Sequence, residues 1–419
     1  MSLNLALVGC GGMGLRHVRG YIELRRRFES LSLAAVCDLH REAADHVASE
    51  VEAATGMRPH VHTNFDQMLD VERGLDAVDI VTDTRMHHVF ALKAFDAGLH
   101  VITEKPMGIT LGMCQQMREA ATNAGRKLAV AENFRRDPMN RFAKALLSAD
   151  VIGAPCFAVK VGLGGGAALM HNTGWRARKS RAGSHILENA VHDCDLLLYF
   201  LGDIDTIYAE TDVCFKVRRR AGVAGQLAQF YQHRVEDEFV DQQEVEVDTE
   251  DTAFGVVRFK SGVVGQLTFT SASVGYSAGL SSVHGSKGTL LLPPSRVGRG
   301  PELRLDGRRE SLKGEELLAL APKFELDDTT AAFWDGKRRM ASYEMPFEQI
   351  DARLVGIEYQ DFAESILTGR EPEVGPLEGM KALSVAYGLL ESGRLRRPVS
   401  MDDVMSGAVS AYQSEIGVA

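Results

Sequence analysis

The sequence predicts an α/β N-terminal domain with a doubly wound parallel sheet, followed by an α+β domain built on an antiparallel sheet. Three observations predict it. In the first third, short apolar runs alternate with longer amphipathic runs, the rhythm of a parallel sheet with helices on both faces. After about residue 133 the rhythm changes, and residues 204–292 read as strand-turn-strand. The chain has 419 residues, which at about 150 per domain suggests two or three domains.

The elements follow in order. Leu3–Val8 is a strand and Met13–Arg26 a helix. Strands at Leu31–Cys37, Val78–Val81, His100–Thr103 and Lys127–Ala131 alternate with helices at Arg41–Thr55, Met86–Ala97 and Leu111–Ala124. These strands are apolar on both faces, as burial between two helix layers requires. The first domain is thus expected over 1–133 and the second over 134–419. The second opens with a helix over Pro138–Ser148, with proline at the position where its missing N–H costs nothing. A strand over Ala154–Val161 is expected to be interrupted by the glycine cluster Gly162–Gly166. A helix over Leu187–Leu201 ends at Gly202. Ala253–Phe259 and Val263–Thr270 form a hairpin around Lys260-Ser261-Gly262, and helices near Ala352–Leu367 and Leu377–Ser392 complete the chain.

Composition excludes several functions. With 47 basic and 57 acidic residues the net charge is −10, which disfavours a nucleic-acid binder. No run of about 18 apolar residues is available to span a membrane. The N-terminus lacks a basic leader segment, so a cytoplasmic location is expected. Cys10, Cys37, Cys114, Cys156, Cys194 and Cys214 form no C-x-x-C pair, and free thiols are expected. Nine acidic residues crowd Glu236–Asp251, just after the basic run Lys216–Arg220. That stretch reads as a solvated loop or extended hairpin, or else as an oligomer contact or a lid.

Gly9-Cys10-Gly11-Gly12-Met13-Gly14 matches G-x-G-x-x-G between a strand and a helix, the context that a dinucleotide-binding turn needs. Gly9 permits the tight turn, Gly11 admits the pyrophosphate, and Gly14 lets the helix approach the sheet. Asp38 ends the second strand, where a carboxylate accepts hydrogen bonds from the adenosine ribose and repels a 2′-phosphate. NAD is therefore favoured over NADP, although Arg41 stands one turn further on.

Three segments carry candidate chemistry. Glu104-Lys105-Pro106 lies at the C-terminal end of a sheet strand, the edge where open parallel sheets bind ligands. Glu188 and His192 are i, i+4 on one helix, so a carboxylate sits beside an imidazole, the arrangement of a general base or of a surface ion pair. His185 and Asp195 extend that face, but four residues on one side of a straight helix cannot surround an ion, and no metal is expected. Glu132–Pro138 follows the last strand of the parallel sheet, and Trp175-Arg176 offers a stacking surface and a donor, or a half-buried core tryptophan.

These motifs resemble the glucose-fructose oxidoreductase / inositol dehydrogenase / rhizopine-catabolism family of NAD(P)-dependent oxidoreductases over roughly residues 3–400. The shared markers include Gly9–Gly14, Thr84–His87, Ala97–Val101, Glu104-Lys105-Pro106, the Glu188/His192/Asp195 helix, Gly285–Thr289 and Gly369–Pro372. The resemblance implies a Rossmann domain joined to a domain with a large, mostly antiparallel sheet, whose exposed face builds homodimers or homotetramers. It implies that Lys105 hydrogen-bonds the reacting oxygen, that His192 is the general acid/base, and that Glu188 takes the place of the usual aspartate. Hydride would pass between a secondary hydroxyl carbon of a sugar, cyclitol or polyol and nicotinamide. Gly9, Gly11, Gly12, Met13, Gly14 and Asp38 are then expected cofactor contacts, with Thr82, His87, Glu104, Lys105 and Asn133 further along the chain. Lys105, Arg135, Trp175, Arg176, Glu188 and His192 are the expected substrate contacts. The sequence departs from the family's pattern at Glu188, at Ala190 in place of glycine, and at Asp83 in place of proline. Two other activities fit the same motifs: redox-neutral, NAD-dependent glycoside cleavage, and non-catalytic sugar sensing.

Overall fold

The computed structural model describes residues 2–221, 228–231 and 242–417. The chain divides into two compact units. The first comprises the described residues of Met1–Asn133, Ala221–Asp241 and Glu348–Met380. The second comprises Phe134–Arg220, Gln242–Phe347 and the described residues of Lys381–Ala419.

The first unit opens with strand β1 (Leu3–Val8), helix α1 (Gly12–Arg25), β2 (Leu31–Cys37) and α2 (Arg41–Thr55). It continues with β3 (His60–His62), α3 (Phe65–Val71), β4 (Ala77–Ile80) and α4 (Thr84–Asp96). β5 (His100–Glu104), α5 (Leu111–Ala124) and β6 (Leu128–Ala131) follow. The sheet is parallel throughout, in the order β3-β2-β1-β4-β5-β6. The chain moves from β1 outward to β3 and then returns to β4 on the other side of β1. The C-terminal ends of β1 and β4 therefore form the switch point where such sheets bind ligands. In register, Val8 faces Ile80 and Ile80 faces Thr103, so Gly9, Val81 and Glu104 line up along that edge. The β3–α3 pair had no clear sequence signal. β3 is a polar edge strand of three residues, and α3 is a short helix capped by the Asn64 side chain, which accepts from the Gln67 N–H.

The second unit begins with α6 (Pro138–Ser148) and β7 (Pro155–Leu163), then α7 (Lys179–Ala182) and α8 (His185–Leu201). β8 (Ile204–Asp212) and β9 (Val217–Arg219) precede α9 (Ala228–Tyr231), which belongs to the first unit. β10 (Glu244–Glu246), β11 (Thr252–Phe259), β12 (Val264–Thr270), β13 (Ala278–Gly285), β14 (Gly288–Leu291) and β15 (Glu302–Leu305) follow. Then come α10 (Gly314–Leu318), α11 (Asp328–Phe333), α12 (Phe347–Thr368), α13 (Pro376–Leu395), β16 (Val399–Ser400) and α14 (Met401–Ser406). The eight-stranded sheet runs β15-β14-β13-β7-β12-β11-β8-β16, and only β7–β12 is a parallel pair.

Two expectations need revision. A single cut after residue 133 does not describe the units, because almost all of α12 belongs to the first. The reason is packing. A Cβ on Gly20 of α1 would lie 2.4 Å from Val355 of α12, and the Arg16 guanidinium grips the Asp351 carboxylate through Nε at 2.7 Å and Nη2 at 2.5 Å. The glycine cluster also interrupts β7 later than expected. Gly162 still pairs with Phe269 on one side and Gly279 on the other, and the chain turns at Gly165 and Gly166, with φ of +79° and +132°.

Of the acidic stretch, 236–241 lies outside the described residues, and the described remainder takes the extended-hairpin form rather than that of a solvated loop. β10 pairs with β9, Glu244 faces Arg219, and Arg218 is buried with Nη2 3.0 Å from Asp251 Oδ2. Burial opposes the Asp251 charge, but N–H donors from Cys214 and Phe215 and the Arg218 guanidinium hold its carboxyl below the usual range.

Candidate active site

In the first unit the glycine loop is shaped as the motif requires. Gly9 has φ +100°, and a Cβ there would lie 2.4 Å from the Val81 carbonyl oxygen. A Cβ on Gly14 would lie 2.1 Å from the Gly9 carbonyl oxygen, so α1 can start here only with glycine. Above Gly11 no described residue comes within 4 Å of a Cβ, which leaves space beside the N–H groups at the start of α1. Gly12 differs from Gly11. Its Cβ would lie 2.6 Å from the Tyr231 ring and 2.9 Å from the Phe230 carbonyl oxygen, so α9 walls the loop on that side. The motif places no demand on position 12; the aromatic neighbour does. Met13 sulfur lies 3.0 Å from Arg16 Nη1.

Asp38 Oδ2 accepts from the Cys10 N–H at 2.7 Å and Oδ1 from the His40 N–H at 2.8 Å. A carboxylate has about four acceptor sites, so lone pairs remain for ribose hydroxyls. Asn133 is buried, and its Oδ1 has no hydrogen-bond partner among the described residues. An orphaned buried acceptor and an open glycine cradle are features that a bound dinucleotide would complete. When bound, NAD supplies a hydride acceptor.

The other residues expected at the cofactor have these partners in the structure. His87 is buried, and its ring nitrogens face the carbonyl oxygens of Pro106 at 3.0 Å and Thr82 at 3.2 Å, so it ties the loops after β4 and β5 together. Glu104 is buried and turned onto His17, with Oε1 3.2 Å from Nε2. Asp83, the departure from proline, caps α4 by accepting from the Met86 N–H. Lys105 is half-buried at the end of β5 and lowers the pKa of neighbouring Glu104.

In the second unit α8 carries the remaining candidates. Ser184 caps it by accepting from the Leu187 N–H, which sets where the helix starts. Glu188 is buried and accepts from Arg176 Nε at 3.3 Å. The Arg176 guanidinium also covers the Trp175 ring at 4.2 Å, so that indole is braced on one face. The His192 imidazole lies flat on Phe134, with centroids 4.0 Å apart and planes 4° from parallel. Phe134 was not singled out from the sequence, because only the fold brings it under α8.

Arg135, an expected substrate contact, forks onto buried Asp195, with Nε to Oδ2 at 2.8 Å and Nη2 to Oδ1 at 2.5 Å. The pair locks the segment after β6 to α8, and the planar guanidinium suits that bidentate grip. Buried His185 accepts or donates at Ser271 Oγ, 3.2 Å away, and burial followed by the nearby Arg218 charge pushes it down to about 4, so it is neutral.

Residues 3–132 match the model of the oxidoreductase family with an NAD-binding Rossmann fold (GFO/IDH/MocA), and residues 140–291 match that family's C-terminal domain. The chain belongs to this family. Among the family's curated members, it is 27% identical over 332 residues to inositol 2-dehydrogenase 2 of Saccharopolyspora erythraea, covering 78% of this chain and 81% of that protein. It is 25% identical to D-apiose dehydrogenase of Paraburkholderia graminis, covering 98% and 93%. Among solved structures, levoglucosan dehydrogenase in complex with NADH and levoglucosan superposes with a TM-score of 0.72 at 20% identity, covering 96% of this chain and all of that one. At that identity the likeness shows the fold.

Proposed function

We propose that this protein is an NAD-dependent dehydrogenase that oxidises a secondary hydroxyl of a sugar, cyclitol or related polyol. The observation that carries this reading is the His192 imidazole, clamped flat by Phe134 on the helix face that also carries Glu188. A general base needs this fixed orientation to take a hydroxyl proton as the carbon–hydrogen bond gives up its hydride. Lys105, at the C-terminal end of β5, is assigned as the donor that stabilises the negative charge developing in the reaction. Glu188, oriented by Arg176, and the braced Trp175 hold the sugar's remaining hydroxyls and its apolar face. Membership of an NAD-binding family and relatives named for inositol and apiose support the substrate class.

The test is NADH formation across a panel of sugars, inositols and sugar acids, with NADP in parallel. Lys105→Met and His192→Ala are expected to lose turnover on the substrate found. Wild-type turnover by both variants would refute the assignment.

We assign the sheet face as the homo-oligomer contact. The strand register places Phe157, Leu280, Phe254, Val256 and Tyr208 on one face, and each is between 40% and 56% exposed. Large exposed apolar side chains gathered on one sheet face support a protein interface there. Sedimentation of a Phe254→Lys/Val256→Lys variant checks it, with a shift to monomer expected. All six cysteines are free, which supports a reducing compartment, the cytoplasm. Among the described residues no helix is long and apolar enough to cross a membrane.

A further inference from the structure

Two features of the second unit stand outside the proposed chemistry, the acidic stretch and the C-terminal segment, and they converge on residues 177–183. This short run joins Trp175 and Arg176 to the start of α8. Asp248 of the acidic stretch accepts from the Lys179 N–H at 2.6 Å, and its own N–H donates to the Ala177 carbonyl at 3.2 Å. The Tyr412 hydroxyl lies 3.0 Å from the Gly183 carbonyl oxygen and also meets Glu250 Oε2. The Lys179 ammonium is 3.3 Å from Glu250 Oε1 and 3.2 Å from Glu415, and it covers the Tyr412 ring at 4.2 Å.

Tyr412 is itself fixed. It is 1% exposed, and buried Glu391 of α13 accepts from the N–H groups of Tyr412 at 2.8 Å and Gln413 at 3.2 Å. The hydroxyl then faces a proton count. Tyrosine has one O–H proton, whereas the Gly183 carbonyl and an ionised Glu250 can only accept. One of the two would be left facing a lone pair. With a proton on Glu250 the chain closes: the carboxyl donates to the Tyr412 oxygen, and Tyr412 donates to Gly183.

We propose that Tyr412 and Glu250 are positioning residues for sugar binding: a protonated Glu250 carboxyl and the Tyr412 hydroxyl latch the Gly183 carbonyl and so set how Trp175, Arg176 and the first turn of α8 meet the substrate. This rests on the reading of Trp175 and Glu188 given above. An ionised Glu250 takes the Tyr412 proton for itself and releases Gly183. Arg176 Nε reaches Glu188 at 3.3 Å across the same run, so freedom gained at Gly183 passes to both residues.

The surrounding charges are consistent. The groups facing Glu250 and Tyr412 are Lys179 of α7, Asp248, Tyr387 and Glu391 of α13, and Glu415. Burial raises the Glu250 carboxyl above its ordinary value and outweighs both the Tyr412 hydrogen bond and the Lys179 charge. Burial and then Glu250 push the Tyr412 hydroxyl well up, so it keeps its proton. Burial opposes the Glu415 charge, but Arg394 and Lys179 lower its pKa, so Lys179 retains a counter-charge while Glu250 is neutral. The latch is thus closed at acid pH and opens as pH rises through the Glu250 value.

The experiment uses the full chain and the sugar that the panel identifies. Tyr412→Phe keeps the ring and removes the hydroxyl, and KM for the sugar should rise about three- to tenfold, the effect of one lost hydrogen bond. Its kcat and its KM for NAD should change little, because Phe134 and the Arg135–Asp195 fork hold His192 and the glycine cradle lies in the first unit. In the wild type, KM for the sugar should rise between about pH 5 and 9 as Glu250 gives up its proton. Glu250→Gln offers Tyr412 a donor at every pH, so its KM should stay at the acid wild-type value throughout. An unchanged sugar KM in Tyr412→Phe, or the wild-type pH dependence in Glu250→Gln, overturns the proposal. Hydrogen exchange needs no substrate: the N–H groups of Gly183 to Glu188 should exchange faster in Tyr412→Phe than in the wild type or Glu250→Gln, and equal exchange also overturns it. An unchanged sugar KM in Trp175→Ala would sink the reading of the sugar contacts instead, and the exchange result would still decide whether the latch exists.

Discussion

His192 and Phe134 are stacked rings, 4.0 Å apart at their centroids and 4° from parallel. The stack covers one face of the imidazole and prevents it from tipping. An aromatic pair contributes about 0.5–1.5 kcal/mol beyond burial, so Phe134→Leu should lower kcat by about two- to tenfold. KM for NAD should stay unchanged. Steady-state kinetics on the panel substrate checks this, and a change confined to KM would contradict it.

Arg135 and Asp195 form a buried fork. Arg135→Met leaves the Asp195 carboxylate buried without its main counter-charge, which costs about 3–5 kcal/mol. Thermal unfolding should show a marked fall in Tm. The double variant Arg135→Met/Asp195→Leu should recover most of that loss, because no unpaired charge remains.

Gly12 and Tyr231 are mutually restrictive. Gly12→Ala puts a Cβ 2.6 Å from the Tyr231 ring, so NADH binding should weaken as α9 is displaced. Tyr231→Ala in the same chain should restore part of that affinity, the Phe230 carbonyl at 2.9 Å limiting the recovery. Gly14→Ala admits no such rescue, since its clash at 2.1 Å is with the Gly9 backbone. Fluorescence titration with NADH separates the three variants.

Asp38 accepts from the Cys10 and His40 N–H groups, and in the proposed reading its remaining charge faces the adenosine ribose. Asp38→Ala should raise KM for NAD by about tenfold or more, given about 1.5–3 kcal/mol for hydrogen bonds to a charged group. It should also shift preference toward NADP by removing the charge that repels a 2′-phosphate. KM values for both cofactors, measured side by side, check the two effects.

Two neutral histidines, buried His185 and half-buried His100, set an acid limit on stability. Burial first and Arg218 second lower His185 to about 4, while burial first and Arg126 second lower His100 to about 4. The His100 Nδ1 accepts from the Lys127 N–H at 2.9 Å, which requires an unprotonated nitrogen there. Both values lie below that of an unfolded histidine, so the unfolded chain binds more protons. Stability should be full above about pH 6.5 and fall as pH drops through 4. His185→Gln should flatten part of that slope in Tm measured against pH.

Much of the first unit was legible because its signals are local. A glycine turn, a strand and a helix cap each act within a few residues, and both-face burial makes the strands plainly apolar. The candidate site was legible as residue types: the motif named Gly9–Gly14, and helical spacing put Glu188 and His192 on one face. What those side chains do was less legible. Arg135 and His87 look available in the sequence, yet Asp195 and the carbonyls of Thr82 and Pro106 occupy them.

By itself the sequence determined the strand–loop–helix cradle, its acidic strand end and the two-part organisation of the protein, since periodicity and turn chemistry are short-range. Only the tertiary structure decided which unit α12 joins, that Tyr231 walls the glycine loop, that Phe134 underlies His192, and that Tyr412 meets Gly183 and Glu250. These relationships join residues far apart in the chain, from 58 positions between Phe134 and His192 to 335 between Arg16 and Asp351. Their energies come from close packing and from pairing charges away from water, and neither exists until the elements have met.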